Sequence, residues 1–428
     1  MELRPPRGTD DLLPPTSDAM LGLYEAAHRT ARLYGFRYVE TPTFEHTELF
    51  ARTSGETSDV VTKEMYTFED KGGRSLTLRP EQTAGIVRAY LANAHDLPTP
   101  FKAYHVSPQF RHGRPQAGRL REFRQFGIET IGVAAPTADV EVVEVGDRYL
   151  RGRGLGRVEV RLNSIGDAEC RPAYREKLIS YLEPHEAELD EDCRTRLRTN
   201  PLRVFDCKVD GRTPLVLAAP VISEHLCQPC AEHFAAVRNG LDVAEIAFVH
   251  DPRLVRGLDY YTRTTFEFVS GSLGQAQAAL GGGGRYDGLA EVLGGAPTPG
   301  IGFALGLDRI LMALREEGAR LPGELGVACF VVSIGPDAWA VGARLVGDLR
   351  SAGIPAATAF EERPLKAQLK MADRTGAAYA AIVGEREVAA GTVTLRRLSD
   401  GEQERVPIDD VVNWLSRTDV EAERSADG

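Results

Sequence analysis

Polar and apolar side chains alternate from Asp259 to Phe268, inside the stretch LVRGLDYYTRTTFEF at 254–268. One set is Tyr260, Thr262, Thr264, Phe266 and Phe268; the other is Asp259, Tyr261, Arg263, Thr265 and Glu267. Successive strand side chains point to opposite faces, so the first set suits a core and the second a polar site. Arg256 and Gly257 precede this predicted strand, where a loop can aim a guanidinium into that site. An ordinary strand with a charged outer face gives the same pattern. Nearer the start the period is helical. Residues 17–34 carry Met20, Leu21, Leu23, Ala27, Ala31 and Leu33 at the spacing of an amphipathic helix, which Gly35 ends. Phe36 to Thr41 reads as a strand closed by Pro42, a residue suited to an edge or interface.

Two hairpins follow. Residues 65–79 hold two strand-like runs around Lys71-Gly72-Gly73. Pro80, Glu81, Gln82 and Thr83 then open a helix through about Tyr90, in which Glu81 and Thr83 read equally well as ordinary first-turn residues. The second hairpin spans 101–131. Its return strand puts Gln125, Gly127 and Glu129 on one face, with the glycine leaving room for something to lie there. The connecting loop carries Arg111, Arg114, Arg119 and Arg121, with Arg124 beyond, and Glu122 alone opposes them. Solvated surface is the usual reading of a charge run; so little counter-charge favours a polyanion, because guanidinium presents a planar fork of donors.

The grammar then changes twice. After a strand at 157–163, Cys170 to about Asn239 reads as mostly helical and as an inserted domain. The run LGGGGRYDGLAEVLGG at 280–295 permits close approach of backbone to a ligand. It is no dinucleotide fingerprint, since no strand–turn–helix unit with the required glycines surrounds it. Gly300 to Leu314 is a glycine-rich strand entering an apolar helix, with Arg309 at its start as a modest anion site. Residues 316–326 look like a linker. Beyond it, strands at 327–334, 354–359, 378–383 and 392–398 alternate with helices at 337–351, 364–376 and 408–416, a small α/β domain. The tail after Arg417 is polar and expected to be disordered.

With 428 residues, two or three domains are expected. No apolar run approaches a membrane span, and MELRPPRGTDDLLPP has no apolar core of a signal peptide. Six cysteines in so long a chain make no disulfide scaffold and point to a reducing compartment, the cytoplasm. Cys227 and Cys230 form a C-x2-C that Cys193 and Cys207 could complete as a zinc site, with His225 and His233 competing; reduced structural thiols are the preferred reading, so no metal ligand is assigned. The net charge of −11 excludes a general nucleic-acid coat but allows a local basic patch.

Arginines gathered without a nucleophilic Ser or Cys suggest charge stabilisation on phosphoryl chemistry. Carboxylates beside them would hold a cationic group such as an amine or imidazole. At these residues a resemblance becomes visible. RGLDYY at Arg256–Tyr261 and GGGRYDGL at Gly282–Leu289 resemble the two signatures of the histidyl-tRNA synthetases, a family of class II aminoacyl-tRNA synthetases. LTLRPEQTAG at Leu76–Gly85, FRHGRPQAGR at Phe110–Arg119 and GFALGLDR at Gly302–Arg309 resemble the remaining motifs, so the likeness covers nearly the whole chain.

The resemblance implies an α+β catalytic domain, an antiparallel sheet with flanking helices, in two parts (1–165 and 245–320). Between them lies a helical insertion (166–244), and a C-terminal α/β anticodon-binding domain (327–417) and the tail (418–428) follow. It implies that Glu81 and Thr83, with Gln82 between, hold the α-amino group of L-histidine. Gln125, Glu129 and Tyr261 would contact the substrate, Glu129 reading the imidazole, with Tyr260 adjacent and Tyr286 closing the pocket. Arg111 and Arg256 would take the ATP α-phosphate, Arg119 and Arg309 the β/γ end, and Phe123 would stack on adenine. Mg2+ would come with the ATP. Arg114 and Gln116 would face the acceptor end of tRNA(His), the insertion its acceptor stem, and a homodimer would form through the first helix and the Pro42 region. The product would be histidyl-adenylate and then histidyl-tRNA. Three positions depart from the family: Gly113 for a Glu that helps place adenine, Arg124 for a His, and Glu122 for a Gln. The alternative is a histidine-binding regulatory paralogue of ATP phosphoribosyltransferase. Such paralogues typically lose RGLDYY and the C-terminal domain, and both are present here.

Overall fold

The computed structural model describes residues 3–54, 64–257, 260–321 and 327–417. They fall into two compact units, Met1–Gly323 and Glu324–Gly428. In the first, helix α1 (Thr16–Leu33) buries Met20, Leu23, Ala27 and Ala31 on one stripe and leaves Leu21 and Leu33 exposed. Strand β1 (Arg37–Tyr38) is shorter than the strand expected there. β2 (Phe44–His46), α2 (Thr47–Ser54), β3 (Tyr66–Glu69) and β4 (Ser75–Leu78) follow, the strands forming a small antiparallel sheet in the order β2-β4-β3. Helix α3 (Thr83–Asn93) starts at the expected place. β5 (Phe101–Phe110) and β6 (Glu122–Ile131) are the long hairpin, in register from Phe101 opposite Ile131 to Phe110 opposite Glu122.

Helix α4 (Pro136–Arg151) leads to β7 (Val158–Ser164). The insertion then supplies α5 (Arg171–Leu182), α6 (Glu191–Thr199), α7 (Pro214–Leu217) and α8 (Gln228–Val243). Tyr174, Leu178, Cys193, Leu197 and Val216 give it a small core of its own. The chain returns through β8 (Phe248–His250), β9 (Thr262–Ser270), β10 (Ala279–Arg285), α9 (Leu289–Val292), β11 (Gly300–Gly306) and α10 (Leu307–Glu317).

Among the described residues the main sheet has eight strands in the order β1-β5-β6-β11-β10-β9-β7-β8. It is antiparallel from β5 to β7, as expected, but mixed at both edges, where β1 lies parallel to β5 and β8 parallel to β7. Parallel neighbours need a long crossover, and the whole insertion supplies one between β7 and β8. On one face Tyr104, Phe126, Ile128, Phe266, Phe268 and Phe303 share a core with α1, α4 and α10. The period-two rule therefore sends Gln125, Glu129 and Glu267 to the other face. There Glu129 lies opposite Gly302, and Glu267 opposite Gly282.

The second unit has β12 (Cys329–Ser333), α11 (Pro336–Ser351), β13 (Ala356–Thr358), α12 (Leu365–Arg374), β14 (Tyr379–Val383), α13 (Glu385–Ala390), β15 (Thr392–Arg397) and β16 (Gln403–Pro407) before a last helix at 411–417. Its sheet order is β13-β12-β14-β15-β16. Cys329 and Val331 enter one core while Phe330 and Val332 enter another, so helices cover both faces. The sequence reading did not anticipate α13 or β16. β16 is exposed at Gln403, Glu404 and Arg405, which hides the alternation of an edge strand. The expected tail, part of the expected linker and Asp259 lie outside the described residues. No helix among the described residues is long and apolar enough to cross a membrane.

Candidate active site

A cavity of about 440 Å³ opens over β6, β9, β10 and β11. Phe123, Gln125 and Glu267 line it from the sheet, Arg111 and Arg119 from the hairpin loop, and Glu81, Gln82 and Thr83 from the start of α3. Arg256, Tyr260, Tyr261, Tyr286 and Arg309 complete the expected set, and Gln116 reaches the wall. Glu129 lies just beneath. A Cβ on Gly302 would run into its carboxylate, so the glycine opposite is what lets this acid approach the cavity.

Two carboxylates, those of Glu81 and Glu129, lie close enough to feel each other's charge. Glu81 is buried and accepts from the backbone N–H groups of Thr83 and Ala84, each at 2.9 Å, which caps α3 as its first-turn reading required. Burial pushes its carboxyl up. Glu129 is 2% exposed. It accepts a 2.6 Å bond from Thr83 Oγ1 and a second bond from the Tyr286 hydroxyl. Burial carries its pKa up to about 8 in spite of those donors. Buried Gln125 Oε1 meets no hydrogen-bond partner among the described residues. Tyr260 stacks obliquely on Tyr261, ring centres 4.8 Å apart, and edge-on to Tyr286 at 5.9 Å. Gln82 departs from expectation. Its amide is engaged by Thr41 Oγ1 at 2.8 Å and by Gln109 at 3.3 Å, so it braces Glu81 and Thr83 and offers little to a ligand.

Four arginines also line the cavity, close enough that Arg309 feels the charge of the other three. Arg111 Nε donates to the Pro80 carbonyl at 2.8 Å, and its guanidinium lies 5.4 Å from the centre of the Phe123 ring. Arg256 is ion-paired with Glu267 and Arg119 with Glu64. Arg309 donates to the carbonyls of Gly118 and Ala279 at 2.8 and 2.7 Å. Burial lowers the Arg309 pKa, and Arg119, Arg111 and Arg256 lower it further, which is how crowded cations behave. A polyanion would relieve that repulsion.

The expected arginine cluster divides. Arg114 is exposed. Arg121 donates to the carbonyls of Gly113 and Arg7 at 3.4 and 3.2 Å. Arg124 holds Asp308 at the start of α10 through its guanidinium (3.1 Å) and backbone N–H (2.8 Å). Hairpin alternation sends Arg124 to the face opposite Gln125, so it could not have joined the others. A Cβ at Gly113 would lie 3.0 Å from Arg119 Nε and 3.2 Å from Glu64 Oε1, so a side chain there would press on that ion pair.

The predicted alternation of 259–268 holds from Thr264 onward and fails before it. Arg263 has φ +49°, in the left-handed region, and a register shift separates Gly284 from Arg285 opposite. Tyr260 and Tyr261 therefore both reach the cavity, although alternation had separated them. Among the cavity residues that escaped the sequence reading are His105, Glu64, Asp206 and Lys208. His105 lies opposite Gly127 and bonds Ser107 at 2.9 Å; burial and Arg79 bring it down to about 3, so it is neutral. Its pairing with Gly127 was the available signal. Asp206 and Lys208 come from the insertion, and no local pattern marks them. The cysteines also regroup. Cys227 and Cys230 meet Cys170 and Asp167, while Cys193 and Cys207 meet Asp190 and Asp210.

Comparison with known proteins accords with this geometry. Residues 8–310 match the family model described as histidyl-tRNA synthetase, and residues 328–418 match an anticodon binding domain. A protein named histidine–tRNA ligase from Moorella thermoacetica is 49% identical over 413 residues, 96% of this chain and 97% of the relative. One of the same name from Pelotomaculum thermopropionicum is 46% identical over 411 residues, 96% of each chain. The crystal structure of apo S. aureus histidyl-tRNA synthetase superposes with a TM-score of 0.80 at 36% identity, covering 97% of this chain and 100% of that one. Such likeness along nearly the full length makes the chain a member of the histidyl-tRNA synthetase family.

Proposed function

We propose that this chain is a histidine–tRNA ligase, which joins L-histidine to the 3′-terminal adenosine of tRNA(His) at the expense of ATP. One observation carries the reading: Arg111 and Arg256, from separate parts of the chain, line the same cavity, and Glu129 lies directly under it. Glu81 and Thr83 receive the α-amino group, and Gln125 Oε1, which meets no partner among the described residues, completes that end. Glu129, held by Thr83 and Tyr286, reads the imidazole, and Tyr261 walls it. A pocket built to pair with a polar group rejects apolar amino acids by leaving its buried acid unsatisfied.

ATP fits the arginine end by charge. Arg111 and Arg256 hold the α-phosphate, Arg119 and Arg309 the outer phosphates, and Phe123 stacks on adenine. Magnesium would ride on those phosphates, and Glu267 and Asp206 are cavity carboxylates able to hold its waters. The histidine carboxylate oxygen attacks the α-phosphorus, and the bond to pyrophosphate breaks. The two arginines meet the charge that grows on the phosphoryl oxygens. The terminal adenosine hydroxyl then attacks the histidyl carbonyl and AMP leaves.

Arg114 and Gln116, both exposed, face the acceptor end, the insertion approaches the acceptor stem, and the second unit reads the anticodon. A second copy docks on the α1 and Pro42 side, where Leu33, Tyr38 and Phe44 are exposed. None of the six cysteines is in a disulfide, which suits the cytoplasm. The test is exchange of pyrophosphate into ATP, screened over all the amino acids. Exchange with histidine alone is expected. Exchange with another amino acid, or none with any, overturns the reading, and none combined with histidine binding identifies the regulatory paralogue.

A further inference from the structure

We infer that Asp167, Cys170, Cys227 and Cys230 form a structural zinc site that clamps the two ends of the helical insertion against the strand leading out of the amino-acid pocket. Their ligand atoms all lie within 4.8 Å of one another. Asp167 Oδ1 is 3.6 Å from Cys170 Sγ and 3.8 Å from Cys227 Sγ. Bonds of about 2.3 Å to sulfur and 2.0 Å to oxygen in a tetrahedron place such ligands ~3.5 Å apart, so small shifts would seat the ion. Three thiols and one carboxylate suit zinc better than magnesium or calcium, which take oxygen.

The chain builds this cluster deliberately in space. Cys170 caps the start of α5 and Cys227 the start of α8, so two helix N-termini bring their positive ends to the sulfurs. The Asp167 backbone N–H points to Cys170 Sγ at 3.3 Å, which supports a bound thiolate. Gly166 has φ +64°, and a side chain there would strike Cys170 Sγ. Outside the ligands, the Glu169 N–H holds Asp167 Oδ1 at 3.0 Å and Arg263 approaches Oδ2 at 3.4 Å. Such outer partners orient metal ligands.

Arg263 ties the cluster to the active site. Its left-handed backbone exchanges hydrogen bonds with Gly166 and Ile165, at 2.7 and 2.8 Å. Arg171, next to Cys170, bonds the Tyr261 carbonyl. Zinc here would fix the turn that delivers Tyr260 and Tyr261 together. The second cluster, Asp190, Cys193, Cys207 and Asp210, is the weaker candidate, because it offers two thiols where the first offers three.

The test uses the full chain, purified under reducing conditions, with zinc measured by atomic emission. The expected result is one equivalent of zinc that is lost in Cys227→Ser/Cys230→Ser and kept in Cys193→Ser/Cys207→Ser. Unchanged zinc in the first variant, or a wild-type chain that neither carries zinc nor takes it up, overturns the site. Because the first variant can also fail by misfolding, cobalt is titrated into the metal-free Cys193→Ser/Cys207→Ser chain. One equivalent should give a tetrahedral spectrum with sulfur-to-cobalt charge transfer from three thiolates. An octahedral spectrum without that charge transfer overturns the assignment.

Discussion

Thr83 Oγ1 donates a 2.6 Å hydrogen bond to Glu129 Oε1, joining a helix start to a strand 46 residues later. The Tyr286 hydroxyl donates to the other carboxylate oxygen. The acid proposed to read the side chain and the residue proposed to receive the α-amino group are thus one hydrogen-bonded unit.

Glu129 should make stability depend on pH. Burial raises its pKa to about 8 from 4.5, so the folded chain keeps a proton that the unfolded chain has lost. The folded state binds more protons across that window, and this group's contribution to stability therefore falls as pH rises from about 4.5 to about 8. Glu129→Gln removes the effect. Its Tm relative to wild type should climb over that range, measured by calorimetry without histidine; a constant difference contradicts the buried proton.

Glu129→Ala should raise the KM for histidine far more than the KM for ATP, because the carboxylate lies under the amino-acid end. Steady-state exchange kinetics check it, and equal losses count against the role.

Arg256→Ala should leave histidine binding nearly intact and slow adenylate formation by roughly 10²–10³-fold, the cost of about 3–4 kcal/mol for one lost oxyanion donor. Single-turnover kinetics read the step, calorimetry reads the binding, and Arg256→Lys should recover part of the rate. Near-normal turnover in Arg256→Ala removes this arginine from the chemistry.

Arg124→Ala should cost stability and not chemistry. Its pair with Asp308 is 16% and 14% exposed at the two side chains, so roughly 1–2 kcal/mol is expected, between the values for exposed and buried pairs. Denaturant titration measures the loss, and exchange kinetics should change less than about tenfold.

Much of this was legible in the chain. Period-two alternation placed Gln125 and Glu129 on one face, and α1 formed where its spacing put it, burying Met20, Leu23, Ala27 and Ala31 of the expected stripe and exposing Leu21 and Leu33. The glycines of β10 and β11 signalled close approach, realised where Gly302 admits Glu129 and where a Cβ on Gly282 would lie 3.2 Å from the Arg256 guanidinium carbon. What stayed hidden depends on contacts distant in sequence. Glu64, Asp206 and Lys208 enter the cavity from segments with no pattern of their own. Arg263 breaks the alternation through its left-handed backbone, a feature local propensity assigns to glycine. Loop charge alone could not separate Arg111 and Arg119, which line the cavity, from Arg121 and Arg124, which do not, because partners distant in sequence decide where each guanidinium points.

The most direct test of the central claim is a double-mutant cycle on Arg111 and Arg256, read as the rate of histidine-dependent pyrophosphate exchange. If both guanidiniums grip one phosphorus, Arg111→Ala/Arg256→Ala should be only slightly slower than the worse single variant, as for groups that act together. A combined loss equal to the product of the two single losses would mean that they act independently, and would contradict the account.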